Sequence, residues 1–188
     1  MKNGLKVIIA VAAVILVIVG IVAGSYNSLV TAQTAVETKQ ADIQTQLQRR
    51  ADLIPNFVST VKGYTKYEQE TLTAVTEARA KIGSANSARS LSEADEELDK
   101  AISVWVNAVT EAYPDLKANS NYIALQDELA GTENRIAVAR KDYNEAVQSY
   151  NAMIKKFPKN IIAGMFGFEK ADFFNADSSA QTVPSVEF

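Results

Sequence analysis

An uncharged apolar run near the N-terminus limits what this chain can fold into. Residues 7–24 read VIIAVAAVILVIVGIVAG, and Leu5 extends the run. A helix needs about 20 such residues to cross the roughly 30 Å hydrocarbon core of a bilayer. A cleaved secretory signal is the alternative, although its apolar core is usually shorter, about 7–15 residues. We therefore predict that residues 1–24 hold a cytoplasmic N-terminus and a transmembrane anchor, the span containing Val7, Ile8, Leu16, Ile21 and Gly24.

The distribution of lysines predicts which way the anchor is oriented. Lys2 and Lys6 precede the span, whereas residues 25–44 contain only Lys39 as a cation. Positive residues tend to stay in the cytoplasm, so we expect the N-terminus there and the rest of the chain on the other side. Removing these two lysines from the 19 basic residues leaves 17 against 22 acidic residues, a net charge of −5. An exported part with that charge should be weakly repelled by anionic headgroups.

The composition excludes several classes of function. The sequence contains no Cys and no His, which removes disulfides, thiolate nucleophiles, Cys or His zinc sites and imidazole catalysis. A net charge of −3 argues against binding to nucleic acid. The adjacent acids at 95–97 and at 127–128 are interpreted as solvated helix faces rather than as paired catalytic carboxylates. We expect no catalytic residue, cofactor, metal or small-molecule substrate.

Apolar residues recur at steps of three and four after the anchor, which predicts an all-α domain. One stripe runs from Tyr122 to Phe157 and is closed by Pro158. A second runs from Leu91 to Ala112, with Trp105 in its core. Ser90 and Glu93 have the spacing of a capping box at its start.

Between residues 26 and 82 the stripe passes through Pro55 without a change of phase. Pro55 is therefore either a kink in one long helix or a corner between helices 26–54 and 56–82. Long heptads could also form an extended coiled coil with another copy of the chain. The short connections at 83–90 and 114–119 favour an up-and-down antiparallel bundle within one chain, in residues 25–158.

The C-terminal part divides into an apolar segment and a polar tail. Residues 159–175 hold contiguous apolar side chains, which should dock on the bundle or contact a partner. The candidate interaction residues in this segment are Ile161, Ile162, Phe166, Phe168, Phe173 and Phe174. Residues 176–188 are polar and predicted to be a flexible tail.

Several charged side chains are predicted to form structural pairs. Arg49 is placed to pair with Asp52 at i, i+3. Arg50 lies on the apolar seam and needs an acid from another helix. Arg50 is 24 residues from Tyr26, and counting 24 back from Phe157 reaches Glu133, so Glu133 is the predicted partner and Glu128 the alternative.

Other polar residues of the same helix fit structural roles. Arg135 belongs to a polar girdle expected to form interhelical ion pairs. The pairs Tyr143-Asn144 and Tyr150-Asn151 repeat at seven residues and predict a core ladder whose hydroxyls bond to a neighbouring helix.

The segments singled out above resemble the LemA family of bacterial membrane-anchored proteins over nearly the whole chain. The stretches that carry the resemblance are RRADLIPN at 49–56, YPDLKA at 113–118, TENRIA at 132–137 and the two Tyr-Asn pairs. The resemblance implies one N-terminal span followed by a four-helix bundle. It therefore favours a corner at Pro55, where the first two helices would meet. It implies no agreed biochemical activity.

These observations together predict a single-pass protein of a bacterial cell membrane that acts as a non-catalytic scaffold. Its partners would be membrane lipid, through the N-terminal helix, and either another protein or a second copy of the chain. A membrane-remodelling scaffold is one alternative. A hydrolase or transferase that depends on carboxylates is another, because carboxylates are the main acid–base groups left.

Overall fold

The structure is a computed structural model. It describes the backbone of residues 2–62 and 69–174 and the side chains of residues 4–60 and 73–174. The predicted tail at 176–188 lies outside these residues. The described part is all-α, without strands, as the periodicity predicted. Its helices are α1 (Lys2–Lys62), α2 (Gln69–Ser84), α3 (Ala88–Ala112), a short 3-10 helix (Pro114–Ala118), α4 (Ser120–Met153) and α5 (Lys159–Phe166).

The predicted corner at Pro55 is wrong, because α1 continues through this residue to Lys62. Proline lacks an N–H and removes one hydrogen bond from the helix ladder. Ile54 and Phe57, on either side of it, are both buried, so packing on the two sides holds the same helix phase. The unbroken apolar phase was therefore a better indicator than the resemblance, which favoured a corner. Ser59 Oγ also donates to the Pro55 carbonyl at 2.8 Å.

Helix α3 begins three residues earlier than its predicted apolar stripe. Ser87 is the N-cap, and its hydroxyl accepts a hydrogen bond from the Ser90 N–H. The Ser90 hydroxyl in turn accepts from the Ser87 N–H at 3.0 Å. The capping box is thus Ser87 with Ser90, and the predicted box of Ser90 with Glu93 is wrong. The helix ends before Tyr113 and Pro114, as expected.

The C-terminal stripe contains a break that the sequence pattern did not indicate. Helix α4 ends at Met153, four residues before the predicted end at Phe157. The apolar segment that follows forms a helix of its own, α5. Gly167 ends α5 with φ of 74°, a left-handed conformation that glycine adopts without steric cost.

The chain divides into two compact units. The first consists of residues up to Thr38 and from Glu145 to Ala171. Its core centres on Leu29, Ile162 and Ala163, with partial cover from Val22, Met153, Ile154 and Phe168.

The second unit consists of the described residues from Lys39 to Asn144 and from Asp172 to Phe174. An aromatic cluster lies in its core, where the Phe57 ring centroid is 5.0 Å from that of Trp105 and 5.2 Å from that of Tyr122. Trp105 is buried, as predicted. Buried aliphatic residues of this core include Ile43, Leu47, Leu98 and Ile136.

Candidate functional site

The apolar part of α1 is exposed from Leu5 to Ile21. It is the one helix in the described part of the chain that is long and apolar enough to cross a membrane. Apolar side chains exposed continuously from Leu5 to Ile21 do not belong to a protein core. The predicted span residues all have exposed surfaces: Val7, Ile8, Leu16, Ile21 and Gly24.

Arg50 is the centre of an ion-pair network in the second unit. Its side chain is only 6% exposed. Its Nη1 lies 2.7 Å from Glu133 Oε2, so the structure brings together the two residues that the residue count paired. Its Nη2 donates to Asp99 Oδ1, a partner that the sequence did not indicate. One buried cation is therefore neutralised by carboxylates from α3 and α4.

Asp95 is the most deeply buried acid of this network, at 1% exposure. Its Oδ2 accepts a hydrogen bond from Arg140 Nη2. Its Oδ1 lies 3.9 Å from Arg50 Nη1 and accepts no hydrogen bond from the residues described. The Arg140 guanidinium also lies over the Phe174 ring, 5.3 Å from its centroid. The acid that was interpreted as a solvated surface residue is thus a core residue of α3.

The remaining predicted pairs lie on the surface and have different partners. Arg49 bonds to Glu128 at 2.9 Å and not to Asp52, so the predicted local pair is wrong. Asp52 accepts instead from Arg79, at 3.1 Å. Arg135 shares Glu128 with Arg49, at 3.2 Å. Exposed pairs of this kind contribute about 0–1 kcal/mol to stability.

An open groove runs between α1 and α4 in the second unit, with a volume of about 430 Å³. Lys39 bridges Asp142 at 3.2 Å and Asp42 at 3.3 Å. The hydrogen bonds that the Lys39 ammonium donates to these two carboxylates, Asp142 foremost, raise the pKa of Lys39. The lining includes Val138, whose side chain is 60% exposed. It also includes Gln46, whose buried Oε1 accepts no hydrogen bond from the residues described.

The two asparagines of the Tyr-Asn pairs bind the segment after α5 rather than a helix. In the first unit, Asn151 exchanges two hydrogen bonds with the Ala171 backbone, at 2.8 and 2.9 Å. In the second unit, Asn144 does the same with Phe174, at 3.0 and 2.9 Å. Each side-chain amide thus bonds to both the N–H and the C=O of one backbone residue. The seven-residue repeat of the Tyr-Asn pairs indicated that Asn144 and Asn151 make hydrogen bonds, but it does not show which backbone they bind.

The two tyrosines lie in the cores, as predicted. Tyr143 donates its hydroxyl to the Asp172 carbonyl at 2.8 Å, within the second unit. Burial, followed by the nearby Asp172 carboxylate, raises the pKa of Tyr143. In the first unit, burial raises the pKa of Tyr150, with smaller contributions from Glu169 and Glu37.

The predicted interaction segment is only partly packed. Ile162 and Ala163 are buried in the first unit, and Phe168 is partly buried. Phe174 is buried in the second unit, whereas Phe173 is exposed. Ile161 and Phe166 keep about half of their surface exposed. In the described part of the chain, no group of three or more acids is arranged to hold a metal ion.

Residues 39–188 match the LemA family, which is most of the chain. The chain belongs to the LemA family. This confirms the resemblance drawn from the sequence motifs. Together with the apolar part of α1, membership identifies a membrane protein of the LemA type.

Two groups of curated relatives align with this LemA-family chain. It is 27% identical over 183 residues to "Magnetosome protein MamQ 2" of Paramagnetospirillum magneticum, an alignment that covers 84% of this chain and 67% of that protein. It is 29% identical over 153 residues to "Protein LemA" of Metamycoplasma hominis, covering 81% of this chain and 67% of that protein. Both relatives come from bacteria.

Proposed function

We propose that this LemA-family protein is a single-pass, membrane-anchored scaffold that binds another protein through its second unit. The N-terminus is cytoplasmic, and the helical units lie on the other side of the bacterial cell membrane. The protein is non-catalytic. The observation that carries the proposal is the open groove between α1 and α4. Its lining contains the exposed Val138 and Gln46, whose buried Oε1 accepts no hydrogen bond from the described residues.

The ion pairs support an up-and-down antiparallel bundle in the second unit. Lys39 pairs with Asp142, and Arg50 pairs with Glu133. The residue numbers therefore rise by 11 on α1 while they fall by 9 on α4. Helices that run in opposite directions give this relation, whereas parallel helices would make both numbers rise.

The arginine pairing supports a structural rather than a catalytic role for the buried acids. A hydrolase that uses carboxylates needs two that face a substrate, one as acid and one as base or nucleophile. Asp95, Asp99 and Glu133 face Arg50 or Arg140 instead.

The groove has the features of a protein-binding surface. Val138 lies in the wall and is mostly exposed. Gln46, whose Oε1 is buried and accepts no hydrogen bond from the described residues, also lies in this wall. Asp42, Asp142 and Lys39 give the groove a polar rim, and a partly apolar centre with a polar rim is typical of interfaces between proteins.

A photo-crosslinking experiment in intact cells tests the proposal. The full chain carries benzoylphenylalanine at Val138, and a control carries it at Ala137, which is exposed on the same helix but does not line the groove. We expect a crosslink to a different protein from position 138 and none from position 137. A crosslinked dimer of the chain itself would show self-assembly instead. Equal amounts of crosslinked product from positions 138 and 137 would contradict specific binding in the groove.

The orientation is tested separately with a single cysteine, since the natural sequence has none. Val104 is exposed on α3, so Val104→Cys should react in spheroplasts with a thiol reagent that cannot cross membranes. Labelling only after lysis would place the second unit in the cytoplasm and overturn the proposed topology.

A further inference from the structure

Helix α5 is apolar on the face that packs inward and on the face that points outward. Ile162 and Ala163 are buried against Leu29 in the first unit. Ile161 and Met165, on the opposite side of the same two turns, are 53% and 71% exposed. Beyond the N-terminal Lys159 and Asn160, the helix contains no polar side chain. A helix that is apolar all round is typical of apolar surroundings on both sides.

The apolar surface extends from just before the helix to its last residue. Phe157, just before α5, is 80% exposed, and Phe166, at its end, is 53% exposed. Contiguous apolar side chains of this size are rare on surfaces that face only water. An apolar environment next to the exposed face of α5, such as lipid, would account for the exposure of Phe157, Ile161, Met165 and Phe166.

The packing of the first unit places α5 where the apolar part of α1 ends. Val22, within that run, packs on the same core cluster as Ile162 and Ala163. The Tyr26 ring centroid lies 4.9 Å from that of Phe166 and 5.7 Å from that of Phe168. Lys159 Nζ donates to Ser28 Oγ at 2.7 Å. Tyrosines are enriched at the membrane–water interface, so α5 lies at the depth of the headgroups when α1 spans the bilayer.

The charges around α5 suit a lipid surface, although the exported part as a whole is acidic. Residues 155–170 contain four lysines and one glutamate. Lys155 and Lys156 are exposed immediately before Phe157. Lysines beside an inserted apolar face attract anionic headgroups. The repulsion expected from the net charge of −5 therefore does not apply to this segment.

We infer that α5 and Phe157 form an interfacial anchor that inserts into the bilayer leaflet at the end of the α1 span, with lipid as the occupant of the exposed apolar face. The inference rests on the proposed single-pass anchoring. It adds a second membrane contact, contributed by the C-terminal part of the chain, that holds the first unit against the lipid surface.

Spin labels on the full chain in liposomes test this second contact. Because the sequence contains no cysteine, each single substitution gives one labelled site. The test positions are Ile161→Cys and Met165→Cys. Val14→Cys reports on the span, and Val104→Cys is the matched exposed apolar residue on the second unit. The measurement compares the relaxation caused by oxygen, which concentrates in lipid, with that caused by a water-soluble nickel chelate.

We expect the oxygen-to-nickel ratio at 161 and 165 to shift from the aqueous value of position 104 toward the lipid value of position 14. The shift should be larger in vesicles that contain phosphatidylglycerol than in pure phosphatidylcholine, and Lys155→Gln with Lys156→Gln should reduce this difference. Circular dichroism checks that each variant keeps its helices.

Three results would overturn the inference and are distinguishable. A lipid value at 14 with aqueous values at 161 and 165 removes the interfacial contact and leaves the anchor in place. An aqueous value at 14 removes the anchor and the contact together. Protection at 165 from both reagents, with spin–spin broadening that disappears on dilution with unlabelled protein, assigns the face to a second copy of the chain.

Discussion

Arg50 is the residue on which the second unit depends most strongly for its charge balance. Its guanidinium is buried and bonded to Glu133 and Asp99, with Asp95 at 3.9 Å. Arg50→Met leaves these acids without their common cation. We expect a loss of about 3–5 kcal/mol in the free energy of unfolding, as is typical when one partner of a buried pair is removed. Denaturant unfolding followed by the fluorescence of Trp105, the single Trp, measures it.

Two variants make this test specific. Glu133→Gln should destabilise wild type by about 1 kcal/mol, because this carboxylate is partly exposed, and should destabilise the Arg50→Met background by less, since the pair with Arg50 is already lost. Arg49→Met removes a neighbouring arginine whose pair with Glu128 is exposed, so we expect a change of about 0.5 kcal/mol or less. Similar losses for Arg49→Met and Arg50→Met would mean that the buried network does not stabilise the fold.

Three residues make the fold sensitive to alkaline pH in the same direction. The pKa values of Lys39, Tyr143 and Tyr150 are all raised in the folded protein. The folded state therefore keeps protons that the unfolded chain loses above about pH 10, and stability falls as the pH rises through that window. We expect the thermal midpoint to fall between about pH 9 and about pH 11.

Tyr143→Phe provides the comparison for this pH dependence. It removes one of the three titrating groups, so its midpoint should fall less steeply than that of wild type over the same range. At neutral pH it should be less stable, since it lacks the hydrogen bond to the Asp172 carbonyl. A curve parallel to that of wild type would show that Tyr143 does not contribute to the alkaline transition.

At the scale of the elements, the connection after α5 is held by side-chain amides. Asn151 is buried and satisfies both polar groups of the Ala171 backbone. Asn151→Ala leaves that N–H and carbonyl without their partners, which should destabilise the first unit by about 1–3 kcal/mol. Faster hydrogen exchange at the Ala171 amide is the direct measurement.

Asn134→Ala is the control, because Asn134 is exposed on the same helix. It makes the same chemical change without removing a contact to the 171–174 segment, so the Ala171 amide should exchange as in wild type. Equal exchange in both variants would mean that the bonds from Asn151 do not hold the segment.

The sequence predicted the elements well where packing imposes a period. The stripes on α3 and α4 identified these helices because their apolar residues face a core. Helix α5 was missed, since eight residues that are nearly all apolar show no period. Pro55 was misinterpreted because the local loss of about 3 kcal/mol or more for a proline is outweighed by packing on both sides. Amide partners such as Ala171 could not be predicted, because periodicity does not show which backbone passes beside an asparagine.

At the scale of the whole molecule, the apolar run should be dispensable for folding. Its large side chains, from Leu5 to Ile21, are exposed rather than packed. A chain that begins at Ser25 should therefore be soluble, helical and cooperative in thermal unfolding. Circular dichroism and the fluorescence of Trp105 measure this.

A chain that begins at Lys39 is the matched comparison. It loses Leu29, on which Ile162 and Ala163 pack, and should lose the core of the first unit. The environment of Trp105 in the second unit should be kept. Loss of helix already in the chain that begins at Ser25 would mean that the apolar run belongs to the fold.

The contact between Lys159 and Ser28 joins residues that are 131 positions apart in the chain. At a synthesis rate of about 5–20 residues per second, Lys159 is added on the order of ten seconds after Ser28. Leu29 likewise cannot be buried in its core until Ile162 and Ala163 have been synthesised. The first unit, although Ser28 and Leu29 are made early, therefore completes its core only after most of the described chain has been synthesised. A nascent chain arrested before residue 159 would leave this early surface open to chaperones and proteases.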